Sequence, residues 1–247
     1  MNKEKNFFIK IQNVSLDLKH FNKEFLLFNS IKSKSTDKDQ KILNNISIEI
    51  NEGEKLGIIG PNGAGKSSLL RLIAEVYEPT SGYFIKKGKS IGFFGNIFYD
   101  EYMTGIEFIT NSLMIFDHSK KEVDLKIDKI INFIDIGDYI YKTFNTYSEG
   151  MKARVSLATI IFSKPNILLI DEGIGAGDRF FIEKAKYAIN ELLSEAPILI
   201  MSSHDEEMLL KFCKTSVLMN KGQIIKHDDT QKILNYYKSE EFKKTIY

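Results

Sequence analysis

An eight-residue run, Gly60-Pro61-Asn62-Gly63-Ala64-Gly65-Lys66-Ser67, constrains this chain more than any other stretch of it. Apolar residues 55–60 lead into it as a short buried strand, and residues 66–74 lead out of it as an amphipathic helix. A glycine-rich turn between strand and helix sometimes serves only close packing. The full pattern G-x-x-x-x-G-K-[ST] in that setting describes more. Its backbone N–H groups converge on phosphate oxygens, and the following helix adds its positive N-terminal end. Lys66 would reach the β- and γ-phosphates of ATP and the Ser67 hydroxyl would bind Mg²⁺, with Ser68 beside it among the nucleotide-binding residues.

Around this unit the chain alternates strands and helices. Residues 7–14, 46–50, 83–86 and 91–94 read as strands. Residues 167–170 and 198–201 are unbroken apolar runs, as expected of strands buried on both faces of a mainly parallel sheet. A helix over 178–194 separates them, and strands at 215–219 and 223–225 precede a polar amphipathic helix from 229. Between about residues 95 and 163 the pattern turns helical, over 104–116, 122–136 and from Ser148 to about 162. Gly137 is placed to stop the second of these helices. About residues 22–44 form a polar, charge-mixed insertion, read as an exposed loop.

Composition narrows the function classes. The net charge of +1 lacks the basic excess of a nucleic-acid binder, so no nucleic-acid partner is expected. Cys213 is the sole cysteine, which excludes an intrachain disulfide; its apolar surroundings mark a small buried side chain. No secretory signal opens the chain, and no apolar run approaches the ~20 residues of a membrane span. A cytoplasmic character is expected, with any membrane reached through a partner.

Two carboxylates, Asp171 and Glu172, end the apolar strand that starts at Ile167. Acidic residues at strand ends also cap helices. Together with the phosphate loop, however, Asp171 suits completion of the Mg²⁺ shell begun by Ser67, and Glu172 suits a general base for water. His204 follows the next apolar strand and is placed to sense the γ-phosphate. Tyr147-Ser148-Glu149-Gly150-Met151 opens a helix shortly before Ile167. Ser148 there is a plain N-cap or, with the Gly150 backbone, part of a second phosphate site.

The order of these motifs resembles the nucleotide-binding domain of ABC transporters over nearly the whole chain. Residues 147–151 resemble that family's Leu-Ser-Gly-Gly-Gln signature, and Gly175-Ala176-Gly177-Asp178 resembles its D-loop, which sets Asp178 at a dimer seam. The Tyr-Ser-x-Gly-Met signature, the Asp171–Asp178 run and the long polar insertion resemble the ATPases of polysaccharide and O-antigen exporters. The resemblance implies one α/β P-loop NTPase domain over 1–247, with a mainly parallel core sheet, an N-terminal antiparallel β-subdomain and an inserted α-helical subdomain. It implies a homodimer sandwiching ATP, a separate integral membrane subunit, a location on the cytoplasmic face of the membrane, and a lipid-linked glycan as cargo. A groove around residues 97–116 would receive the membrane subunit.

Two departures stand out. The family's glutamine after the strand at Ile91 is missing, and Asn96 is the nearest amide for the metal. Leu18 stands where the family stacks an aromatic ring on adenine, so Phe21 takes that role or is a core residue. Other readings are an ABC ATPase acting on ribosomes or DNA, and one serving a transporter of a different, non-glycan substrate.

Overall fold

The unbroken apolar runs become the central strands of a sheet. A computed structural model of the chain describes residues 7–17, 41–93, 100–172 and 179–246. They form two compact units.

The first unit holds both sheets. In the smaller, β1 (Phe8–Asp17) lies antiparallel between β2 (Lys41–Asn51) and β4 (Ser81–Lys87). The larger contains β3 (Lys55–Ile59), β5 (Ser90–Phe93), β6 (Ile167–Asp171), β7 (Ile198–Ser202), β8 (Thr215–Asn220) and β9 (Gln223–Asp229), in the order β5-β6-β7-β3-β8-β9. The β6/β7, β7/β3 and β3/β8 pairs are parallel, and β9 returns antiparallel to β8. Every residue of β7 is buried, and so are Ile167–Ile170 in β6, which is why these strands show no apolar–polar alternation. Among the described residues, four helices belong to this unit: α1 (Lys66–Ile73), α6 (Glu206–Phe212), α7 (Thr230–Lys238) and α8 (Glu240–Ile246).

Register decides where the chemistry goes. Ser202 of β7 pairs with Ile58 of β3 on one side and Asp171 of β6 on the other. Three strands therefore end at one level, and the segments that follow them emerge side by side at the carboxyl edge, where ligands bind in sheets of this kind.

The second unit is helical: α2 (Gly105–Ile115), α3 (Lys120–Ile134), α4 (Glu149–Ser163) and α5 (Arg179–Glu195). Thr104 with Glu107, and Ser119 with Glu122, form reciprocal capping boxes that start α2 and α3. The hydrogen bonds received by each glutamate favour its ionised form and hold its pKa below the usual value. Ile109, Ile130, Phe144 and Val155 sit in the common core, fully buried.

Three expectations change. Residues 41–44 belong to β2 rather than to a polar insertion: Leu43 is buried opposite Leu16, and the Asn44 N–H donates to Gly222 O at 2.8 Å. The rest of that insertion lies outside the described residues. Gly137 does not stop the second inserted helix; α3 ends at Ile134 with Asp135 in the left-handed region (φ 59°), a conformation a short polar side chain tolerates. Gly137 instead opens a 3-10 turn, Gly137–Tyr141. Third, Glu206–Phe212 forms a helix where no element was expected. Asp205 starts it by accepting from the Met208 N–H at 3.1 Å.

Gly57 of β3 pairs directly with Ser216 of β8, and a Cβ there would run into the Ser216 Oγ. Gly57→Ala is expected to cost about 1–3 kcal/mol in urea unfolding. Adding Ser216→Gly should recover part of that loss.

Candidate functional site

The first unit brings Lys66, Asp171, Glu172 and His204 to the carboxyl edge of its larger sheet. Lys66 begins α1, whose N-cap is Gly65 in the left-handed region (φ 99°) with no side-chain cap. The first-turn N–H groups of α1 are thus left without the side-chain acceptor that usually covers them. Gly63 (φ 77°) has no neighbouring atom within 4 Å of where a Cβ would stand. The loop has one face open and a helix N-terminus behind it, the form that suits an anion.

The Lys66 Nζ donates to Gly60 O at 2.8 Å and to Pro61 O at 3.0 Å, so the loop's own carbonyls hold the amine. Burial lowers the Lys66 pKa, and the charges of Glu172 and Asp171 work against that shift. The lysine and both carboxylates therefore share one field.

Asp171 is fixed by a partner that the sequence reading missed. The hydroxyl of Ser202, wholly buried at the end of β7, donates to the Asp171 Oδ1 at 2.9 Å. The signal was present, since Ser202 is the polar end of an otherwise apolar strand. Glu172 has a left-handed backbone (φ 62°), and its N–H donates to Ser202 O at 3.0 Å. A glutamate in that region carries a cost of about 1–2 kcal/mol. The turn aims its exposed side chain out of the strand, with Oε1 3.7 Å from the exposed His204 Nε2.

A second missed residue is Gly222. With Lys221 it forms the two-residue turn between β8 and β9, both at positive φ as a type I′ hairpin requires. The Gly222 N–H donates to Ala64 O at 3.0 Å while its carbonyl accepts from Asn44. One residue thus ties the phosphate loop to β2, and a Cβ at Gly222 would strike the Ile42 carbonyl.

The remaining predicted residues fall elsewhere. Ser148 and Gly150 lie in the second unit at the start of α4, where the exposed Ser148 Oγ accepts from the Met151 N–H at 3.2 Å. A Cβ on Gly150 would meet only Ser148 Oγ, at 3.9 Å, so this helix end is open. Phe21, Asn96 and Asp178 lie outside the described residues. Cys213 is buried, and burial pushes its thiol up to about 12.

Ser67 and Asp171 are oxygen donors of the kind Mg²⁺ takes. Among the described residues no group of three or more His, Cys, Asp or Glu side chains could hold a metal.

Comparison with known proteins matches residues 43–175 to the family described as "ABC transporter". A teichoic acids export ATP-binding protein of Bacillus anthracis is 34% identical over 233 residues, 94% of this chain and 42% of that protein. An O-antigen export system ATP-binding protein of Yersinia enterocolitica is 37% identical over 183 residues, 74% of this chain and 77% of that one. The chain therefore spans under half the length of the first relative and about three quarters of the second. Among solved structures, an ATP-binding subunit of an ABC transporter superposes with a TM-score of 0.70 at 19% identity, covering 93% of each chain. The dimeric ATP-binding cassette MJ0796 with ADP and Pi does so at 0.67 and 21%, covering 90% of this chain and 98% of that one. At such identities the likeness is one of fold.

Gly222→Ala is expected to raise the dissociation constant for ATP severalfold in calorimetric titration. Gly53→Ala serves as the control. It replaces a glycine at a similar positive φ (90°) but with no atom within 4 Å, and should leave affinity unchanged.

Proposed function

The chain belongs to the ABC transporter family, and from that premise we propose that it is the ATP-binding and hydrolysing subunit of an exporter. Its membrane partner is a separate integral subunit, and the cargo is a lipid-linked glycan of the polysaccharide or O-antigen type. The observation that carries the motor is the convergence of Lys66, on a phosphate-shaped loop, with Asp171, Glu172 and His204 beyond adjacent parallel strands. The export functions in the names of the relatives from Bacillus anthracis and Yersinia enterocolitica support the glycan. Among the described residues no helix is long and apolar enough to cross a membrane, and the export-system names of those relatives support attachment at the cytoplasmic face through the partner.

In this reading the open N–H groups of the loop and of α1 receive the β- and γ-phosphates. Lys66 leaves the Gly60 and Pro61 carbonyls to pair with them. Mg²⁺, held by Ser67 and Asp171, would neutralise charge on the phosphates. Ser202, which donates to the Asp171 Oδ1, would steady that carboxylate for the cation. Glu172 accepts a proton from the water whose oxygen attacks the γ-phosphorus, and the bond to ADP breaks. His204 adjoins the Glu172 carboxylate and hydrogen-bonds the γ-phosphate. Ser148 and the Gly150 backbone grip the γ-phosphate held by a second copy, with Asp178 at the seam between copies. ATP thereby joins two chains, and hydrolysis releases them.

Glu172→Gln is expected to slow hydrolysis at least about a hundredfold and to leave an ATP-dependent dimer visible by gel filtration. Tagged Glu172→Gln protein, recovered with ATP and Mg²⁺ from detergent-solubilised native membranes, should bring down a multi-span membrane protein and a lipid-linked glycan. A membrane protein with another substrate would keep the motor and remove the glycan. Ribosomes or nucleic acid would overturn the transporter reading.

A further inference from the structure

The C-terminal end of α3 is where α4 and α5 meet. Arg154 of α4 donates from Nη1 to Asp135 O at 3.0 Å and Ile134 O at 3.5 Å, the last carbonyls of α3. The same guanidinium lies over the ring of Phe181 on α5, with Cζ 5.2 Å from the centroid. Phe181 is buried and makes an edge contact with Phe133 of α3 at 5.5 Å. A cation at a helix C-terminus is favoured by the helix dipole, and a flat guanidinium can stack and donate at once. Lys184 of α5 also reaches this end, 3.6 Å from Asp135, but both side chains are largely exposed and such a pair contributes little.

We infer that Arg154 is a positioning residue, fixing the angle at which α4 presents Ser148 and Gly150 to ATP held by a second copy of the chain. This rests on the phosphate-gripping role proposed for that helix end. Met151, Val155, Ala158 and Phe162 pack one side of α4 against the helical core, but apolar contact by itself is non-directional. The Arg154 hydrogen bonds are directional and tie one point on α4 to the end of α3. Arg154 stands six residues after Ser148, about 9 Å along the axis. A tilt of about 10° around that anchor moves Ser148 by about 1.5 Å, and misplacement of about 1 Å costs on the order of a hundredfold in rate.

The test uses Arg154→Lys, which keeps a cation but lacks the fork and the flat face. In the Glu172→Gln background it should weaken ATP-driven dimerisation at least tenfold, by analytical ultracentrifugation. ATP binding to the monomer, which uses the loop at Lys66, should stay within twofold. Phe181→Leu should shift dimerisation in the same direction, and Phe181→Tyr, which keeps the aromatic face, should not. A merely structural arginine would lower the melting temperature and leave dimerisation of the folded protein unchanged, which would overturn the inference. If Arg154→Lys does not fold, the Phe181→Leu and Phe181→Tyr pair decides by the same criterion. Failure of Glu172→Gln with Arg154 intact to dimerise on ATP would instead bring down the ATP-sandwich reading beneath it.

Discussion

The rest of the site depends on the register that sets Ser202 between Ile58 and Asp171. Parallel strands in one register end together, and each must then leave the sheet by its own connection. Here the three connections begin with a glycine loop, a pair of carboxylates and a histidine. A slip of one residue in β6 would turn Asp171 to the other face of the sheet. The apolar residues of these strands therefore do more than fill a core. Their pairing is the ruler against which the polar groups are set.

That ruler permits an arrangement that would otherwise be costly. An amine and a carboxylate next to a dry sheet lose hydration, and only close opposite charge and fixed hydrogen bonds offset the loss. The loop carbonyls and the neighbouring carboxylates do this for Lys66, and Ser202 does it for Asp171. Glu172 is treated differently. It stands exposed on a left-handed backbone and is set apart by its turn, so its carboxylate remains available to water.

Much of this was legible in the sequence because its signals are local. The loop from Gly60 to Ser67, the carboxylates after Leu169-Ile170 and the histidine after Ser202-Ser203 each depend on a few adjacent residues. Ser202, Gly222 and Arg154 escaped because their partners are remote in sequence. Gly222 alone reads as a turn residue; only the fold lays its backbone between Ala64 and Asn44. Arg154 alone reads as one more basic residue on a helix, and the carbonyls it caps lie about twenty positions earlier. Glu206–Phe212 escaped for another reason: seven residues are too few to display a helical period.

The buried Cys213 has a practical consequence. It is the only cysteine in the chain, and a thiol pushed up to about 12 stays protonated and unreactive toward alkylating probes at neutral pH. The protein is in effect already blank for thiol labelling. One cysteine placed on the outer surface of α4 and another on α7 would each take a fluorophore without any prior cysteine removal. The distance between the two helical regions could then be followed in solution as nucleotide is added and consumed.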